Sequence, residues 1–420
     1  MTAWLALAAR SAWNRRFVLS LVTLSIALST FLLMGIERVR VDVRDNFSQS
    51  VSGTDLIVGA RTGGVQLLLY SVFRIGDATQ NIGWRSVQAL DRQPAVAWTV
   101  PISLGDSHRG FAVVGTTAAY FEHFRYGDRQ PLAMAQGRPF ASVFDAVLGA
   151  EVAERLGHRL GDRLVLSHGD GQMARNDHAD KPFTVVGILQ RTGTPVDRSV
   201  HIGLDGMEAI HLDWVAGVPL PGRSVPAAEA AQHDLTPRSA TAVLVGLKRR
   251  AAVFGVQRWI GSYREEPLMA ILPGVALDAL WDVAGVGERA LLAMSGLVAL
   301  VSLAGLVAAI SAGLEQRRRE LAILRALGAG PWRILWLLTL EGTLVTLAGL
   351  ALGAGLCAAT IAAFGDVAGA RLGVPLRLQV PSFTEWALLG GILASGVAAS
   401  LVPGWRAYRL SLADGLSPRT

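Results

Sequence analysis

Five side chains able to bind a metal or carry a proton crowd into one stretch. "SHGDGQMARNDHADKP" (Ser167–Pro182) holds His168, Asp170, Asp177, His178 and Asp180. Imidazole nitrogens and carboxylate oxygens are the donors that zinc prefers. Their spacing matches no closed zinc site, and a solvated Gly/Asp-rich hairpin loop accounts for the same residues. The expectation is therefore a loop without metal, with His168 and His178 as the candidate ligands should an ion bind. A second candidate, "GDSHRG" (Gly105–Gly110), sets Ser107 beside His108. Neighbours on a strand point to opposite faces, so the pair cannot act as nucleophile and base. A turn between "VAWTVPISL" and "FAVVGT" is expected there, and no catalytic or cofactor-binding residue is assigned. Glu341 lies inside an apolar run, where a carboxylate is either functional or paired with a nearby arginine at the membrane edge.

The most distinctive chemistry is cationic. "EQRRRELAILRALGAGPWRI" (Glu315–Ile334) sits between two of the most apolar stretches of the chain. At 100° per residue, Leu314, Leu321, Ile323, Leu324 and Leu327 share one half of a helix. Glu315, Arg318, Arg319 and Arg325 share the other, and Arg317 and Glu320 intrude on the apolar side. Glu315 can pair with Arg319 one turn on. Gly328 and then Gly330-Pro331 stop the helix. Such a segment either lies on anionic lipid as a topology signal or docks on a cytoplasmic partner.

The elements that must position these residues follow from hydropathy. The 420 residues are 51% hydrophobic, with mean hydropathy +0.39. That is too apolar for an ordinary soluble enzyme and too polar for membrane helices alone. The net charge of +6 does not indicate nucleic acid, because the arginines cluster beside apolar runs. The single cysteine, Cys357, lies within such a run and says nothing of compartment.

Four runs reach the ~20 residues needed to cross a bilayer. They divide the chain into a cytoplasmic N-terminus with transmembrane helix 1 (1–36, span Phe17–Ile36) and an external α/β domain (37–289) that could comprise two subdomains. Helix 2 (290–313), a cytoplasmic segment (314–333), helix 3 (334–364), a short external loop (365–385), helix 4 (386–404) and a tail (405–420) follow. Arginines before span one, between spans two and three, and after span four put both termini in the cytoplasm. Arg38, Arg40 and Arg44 break that rule mildly. They alternate with Glu37, Asp42 and Asp45, as in a helix that continues outward as a stalk. The fold class is a four-helix (1+3) membrane protein with a mixed α/β domain after the first helix.

Within that domain, "TDLIVGA", "FAVVGT", "RLVLSH" and "FTVVGIL" read as strands. "ASVFDAVLGAEVAERLG" (Ala141–Gly157) contains a helix ending at glycine. "TAVLVGLK", "RAAVFGVQRWIGSY" and "PLMAILPG" read as strand, helix, strand. The Pro/Gly-rich stretch 217–238 is the expected loop or subdomain boundary. "VQLLLYSVFRIG" (Val65–Gly76) is too short to span and reads as a core helix or an exposed apolar surface. The glycines of "GLALGAGLCAA" in span three and "GGILASG" in span four let helices approach closely, within the bundle or against a second copy.

"RRRELAILRALGA" resembles the coupling segment of FtsX-like, MacB-type ABC transporter permeases, the mechanotransmitting (type VII) class. The tail "VPGWRAYRLSLADGL" (Val402–Leu416) is similar to that family's ending. "GRPFASVFDAVLGAEVAERLGHRLGDRLVL" and "FTVVGILQRTGTPVDRSVHIGL" resemble its periplasmic domain. The resemblance covers essentially the whole chain. It implies a multi-pass protein of the bacterial inner membrane that works with a separate cytoplasmic ATPase and a second permease copy. A periplasmic or outer-membrane partner could join them, and no nucleic acid is involved.

In such a complex ATP and magnesium belong to the ATPase. This chain has only Lys181 and Lys248, followed by Pro182 and Arg249, so it contains no Walker A lysine followed by Ser or Thr. By the same resemblance Glu315, Arg317, Arg318, Arg319, Glu320, Leu321, Leu324 and Arg325 are the ATPase-coupling residues, moving the external domain to export or extract a substrate. The alternatives are an FtsX-like regulator of an external enzyme with no transported substrate and a membrane-anchored hydrolase.

Overall fold

The computed structural model describes residues 16–50, 52–169, 177–215, 218–219, 225–316, 323, 325–326, 329–372, 376 and 378–409. They divide into two compact units, residues 1–43 with 284–420, and residues 44–283.

Four helices are long and apolar enough to cross a membrane. They are Arg16–Gln49, Pro273–Gln316, Pro331–Leu372 and Phe383–Arg409. The first continues well past Ile36, as the alternating charges there imply. Glu37 accepts two hydrogen bonds from Arg40 one turn later, at 2.9 and 2.7 Å. The second and third each open on a proline, whose missing N–H costs nothing in a first turn.

The bundle core comprises Val22, Ile26, Leu306, Ile310, Leu314, Ile334, Leu338 and Ala407. Buried polar groups share the helices with it. Thr30, Thr339, Thr346 and Ser400 donate to carbonyls one turn back, which satisfies their hydroxyls without water. Ser302 of the second helix meets Ser25 and Ser29 of the first at 2.7 and 3.0 Å.

Arg38 and Glu385 form a buried ion pair at 3.4 Å. Arg38 also donates to the Gln379 carbonyl. Glu385 in turn completes a capping box: Ser382 N–H donates to its carboxylate, and its own N–H donates to Ser382 Oγ. Arg38, one of the charges that break the positive-inside pattern, thus serves the start of the fourth helix. Glu341 is 3% exposed on the third helix.

The second unit is built on a sheet with twelve strands among the described residues. They are β1 (Leu56–Ala60), β2 (Val96–Ser103), β3 (Asp106–His108), β4 (Phe111–Thr116), β5 (Met134–Gly137), β6 (Asp145–Leu148), β7 (Arg163–Leu164), β8 (Ser167–His168), β9 (Phe183–Leu189), β10 (Ser199–Gly203), β11 (Ala242–Leu247) and β12 (Leu268–Ile271). The main path runs β7-β9-β6-β10-β4-β2-β11-β1-β12; β3 joins β4, β8 joins β3, and β5 joins β9.

Several strands read as unbroken apolar runs because both faces are covered. Ile57, Val114, Val147 and Leu244 enter one core with Leu67, Tyr70, Tyr120 and Phe121. Their neighbours point the other way into two separate cores. Val113, Ala146, Leu148 and Val200 enter one with Phe183, and Leu56, Val58, Val243 and Val245 enter the other with Ile260. The two halves of the sheet meet at β2–β4 through only two registered pairs, Ile102↔Thr116 and Ser103↔Gly115.

Three sequence expectations change in detail. "ASVFDAVLGAEVAERLG" is strand β6 followed by a helix, Ala150–Leu156, ended by Gly157 at φ 70°. "RLVLSH" is divided between β7 and β8. "DSH" is a strand, and the turn falls one step later at Arg109 and Gly110, with φ 50° and 84°. "VQLLLYSVF" is a core element: an α-turn, Gly64–Leu68, continues as a π-turn, Leu69–Phe73, burying Leu67, Leu68, Tyr70, Val72 and Phe73. Within 217–238, residues 217 and 220–224 lie outside the described residues, and Ala227–Ala230 form one helical turn.

Candidate functional site

The Arg-rich segment begins where the second membrane helix ends, at Gln316. Arg317, Arg318, Arg319, Glu320, Leu321, Leu324 and the Glu315 side chain lie outside the described residues. Ile323 is helical and 56% exposed, and Arg325 is helical and half-buried. Ala329 is buried just before Pro331 opens the third helix. Trp332 of that helix meets Tyr408 of the fourth, 5.8 Å between ring centroids, and Tyr408 stacks on Trp405 at 5.4 Å. Aromatic rings of this kind settle at a membrane–water interface. Sequence reasoning missed this cluster, although Trp332, Trp336, Trp405 and Tyr408 were visible as aromatic residues near span ends.

A second constellation lies in the α/β unit. Asp106, on β3, is buried. Its Oδ1 faces three imidazoles: His168 Nδ1 at 3.1 Å, His211 Nε2 at 3.6 Å and His178 Nε2 at 3.8 Å. The β3–β8 ladder brings Asp106 opposite His168, in the register His168↔Asp106. His211 caps the helix Leu204–Ile210. Its Nδ1 lies 2.8 Å from the Met207 carbonyl, so the proton sits there and the Nε2 lone pair faces the cluster. Trp214 packs against His178, 4.3 Å between centroids.

The surroundings hold these residues in place. Lys181, fully buried, donates to both Asp213 oxygens at 2.8 Å and to Asp180 at 2.9 Å. This ties the turn after His178 to the segment carrying Trp214. Ser167 Oγ donates to Asp177 at 2.6 Å. Burial alone pushes the Asp106 carboxyl up, but the His168 hydrogen bond and the two other imidazoles beside it outweigh this and hold the group well below the usual carboxylate range. Burial pushes His211 down, and the adjacent Asp106 carboxylate more than reverses this.

The structure thus brings His168 and His178 to one carboxylate. It adds Asp106 and His211, which sequence spacing did not connect to them. Asp106 comes from the "GDSHRG" string singled out for Ser107 and His108. Ser107 is buried, while His108 lies 2.7 Å from the Val165 carbonyl and 3.0 Å from His158. No Ser–His contact forms between the neighbours.

Two family sequence models match the chain. The MacB-like periplasmic core domain covers residues 18–253, and the FtsX-like permease C-terminal region covers 292–412. A comparison with curated protein sequences found no match. Among solved structures, the periplasmic region of MacB from Actinobacillus actinomycetemcomitans is 12% identical with a TM-score of 0.34, over 56% of this chain and 95% of that one. The extracellular domain of the noncanonical ABC-type transporter YknZ from Gram-positive bacteria is 12% identical with a TM-score of 0.29, over 52% and 99%. The MacB-like match spans more than half of the chain and the FtsX-like match runs from within the second long helix through the fourth, so the chain belongs to the FtsX-like, MacB-type permeases, the membrane components of ABC systems whose ATPase is a partner.

Proposed function

We propose that this permease converts work done by a separate cytoplasmic ATPase into movement of its external domain, so as to export or extract a substrate from the membrane or periplasm. Residues 315–327 dock on that ATPase, both termini are cytoplasmic, and residues 37–289 work outside. ATP and magnesium are bound by the ATPase, and two permease copies act together. The observation that carries this reading is the place of the Arg-rich segment. It lies inside the FtsX-like match and connects two long helices, Pro273–Gln316 and Pro331–Leu372. The helix Pro273–Gln316 leads in sequence from the end of strand β12 to that segment.

The test reverses charge. In the Arg318→Glu/Arg319→Glu variant, acidic groups on the partner would meet like charge, which costs several kcal/mol at an interface. A penalty of roughly 3 kcal/mol weakens binding more than about a hundredfold. The variant is expected to insert normally in the membrane but to lose co-purification of the ATPase and its coupled activity. Normal binding and coupling in that variant would reduce the segment to a topology signal.

A further inference from the structure

We propose that Asp106, His168, His178 and His211 form a four-ligand site for a divalent transition-metal ion, zinc(II) by the chemistry of the donors. This site is independent of the coupling function.

Two of the three distances to Asp106 are too long for hydrogen bonds but suit a shared ion. Around one carboxylate oxygen, hydrogen bonds would place nitrogens within about 2.7–3.2 Å. Only His168, at 3.1 Å, meets that limit; His211 at 3.6 Å and His178 at 3.8 Å do not. Zinc sits about 2.0–2.2 Å from nitrogen and oxygen ligands, so the edges of its tetrahedron are roughly 3.4 Å. The three observed separations bracket that value. The ligand atoms of Asp106, His168 and His211 also all lie within 4.8 Å of one another.

Unsatisfied polarity points the same way. His178 is fully buried, and neither ring nitrogen has a hydrogen-bond partner among the described residues. His211 Nε2 and Asp106 Oδ2 are likewise without one. Burying such groups unpaired is costly, and native proteins rarely do so without a ligand to satisfy them. A metal ion would accept the lone pairs of His178 and His211 together. The outer contacts are those of a built site. His211 donates its other nitrogen's proton to a backbone carbonyl, which sets the tautomer a ligand needs. Trp214 supplies an apolar wall. Four protein ligands and no open position describe a resident ion rather than a catalytic one. It would pin β3, β8, the turn before β9 and the end of the helix Leu204–Ile210 to one point.

The test uses the full-length chain in detergent, without a histidine tag and stripped by chelator. Zinc(II) is titrated against a chromophoric competitor, and cobalt(II) is then substituted as a spectroscopic probe. One zinc per chain is expected, with the intense visible bands of four-coordinate cobalt. Asp106→Asn keeps the side-chain size and His211→Ala removes a partly exposed ring. Each is expected to weaken zinc by more than the about 10–100-fold typical of losing an outer-shell partner. His178→Ala should abolish the four-coordinate cobalt spectrum. His233→Ala, at an exposed position elsewhere in the unit, should leave both readouts unchanged. The proposal is overturned if the wild-type chain binds no zinc, if binding survives Asp106→Asn and His211→Ala, or if cobalt shows only weak octahedral bands.

Discussion

Gly353→Ala should damage the membrane bundle while Gly355→Ala, two residues on in the same helix, should not. A Cβ on Gly353 would lie 2.5 Å from the Ala27 carbonyl oxygen and 2.6 Å from Thr30 Cβ on the first helix. Ordinary carbon contacts are about 3.5–4.0 Å, so the helices would have to part by roughly 1 Å. A Cβ on Gly355 would meet nothing within 4 Å. Two effects compete at both positions. Replacing glycine by alanine inside a helix gains up to about 1 kcal/mol of propensity. Overpacking a close interface costs about 1–3 kcal/mol. The cost is larger at Gly353 and absent at Gly355.

Gly349, one turn before Gly353, is the same kind of contact: its Cβ would lie 2.6 Å from Ile26 Cγ2. The pair forms a small-xxx-small face against helix one. Once the helices have parted for one methyl, the second costs less, so Gly349→Ala/Gly353→Ala should cost less than the sum of the single changes. The assay is equilibrium unfolding of the purified chain by a denaturing detergent, read by loss of helical circular dichroism. Equal destabilisation by Gly353→Ala and Gly355→Ala would show that glycine flexibility, not helix contact, matters there, and this account of the packing would be wrong.

Two further outcomes can be measured. Burial, with the charge of Arg74 nearby, pushes the His201 imidazole down to about 3, against about 6.5 in an unfolded chain. The unfolded state therefore binds more protons between those values, so the contribution is complete above pH 6.5 and is lost as pH falls toward 3. By pH 5 the loss amounts to about 2 kcal/mol. In denaturant unfolding of His201→Leu, the stability difference between pH 7.5 and pH 5 should shrink by that amount, and an unchanged difference would refute the assignment. In a Cys357→Ser background, Gln232→Cys should react with a membrane-impermeant maleimide in intact cells and Ile323→Cys only after permeabilisation; the reverse pattern would invert the proposed orientation.

The membrane architecture was legible in the chain itself. Bilayer thickness sets the length of an apolar run, so "FVLSLVTLSIALSTFLLMGI" carries its meaning locally. Strands such as β4 and β11 were equally readable, since β-branched apolar residues bounded by turn formers need no distant partner to be recognised. Local patterns could not say which face meets what. The glycines of "GLALGAGLCAA" advertise a close approach, but only the packed bundle decides that Gly353 meets helix one and that Gly355 does not. Arg38 reads in sequence only as part of a charged stalk, and the bundle alone puts it 3.4 Å from Glu385, 347 residues distant. The cluster around Asp106 divides in the same way. His168 and His178 share one string, whereas Asp106 and His211 reach them through a strand ladder and a helix end. Convergence of side chains on a point depends on three-dimensional register, and a linear spacing carries that information only when the ligands share one element.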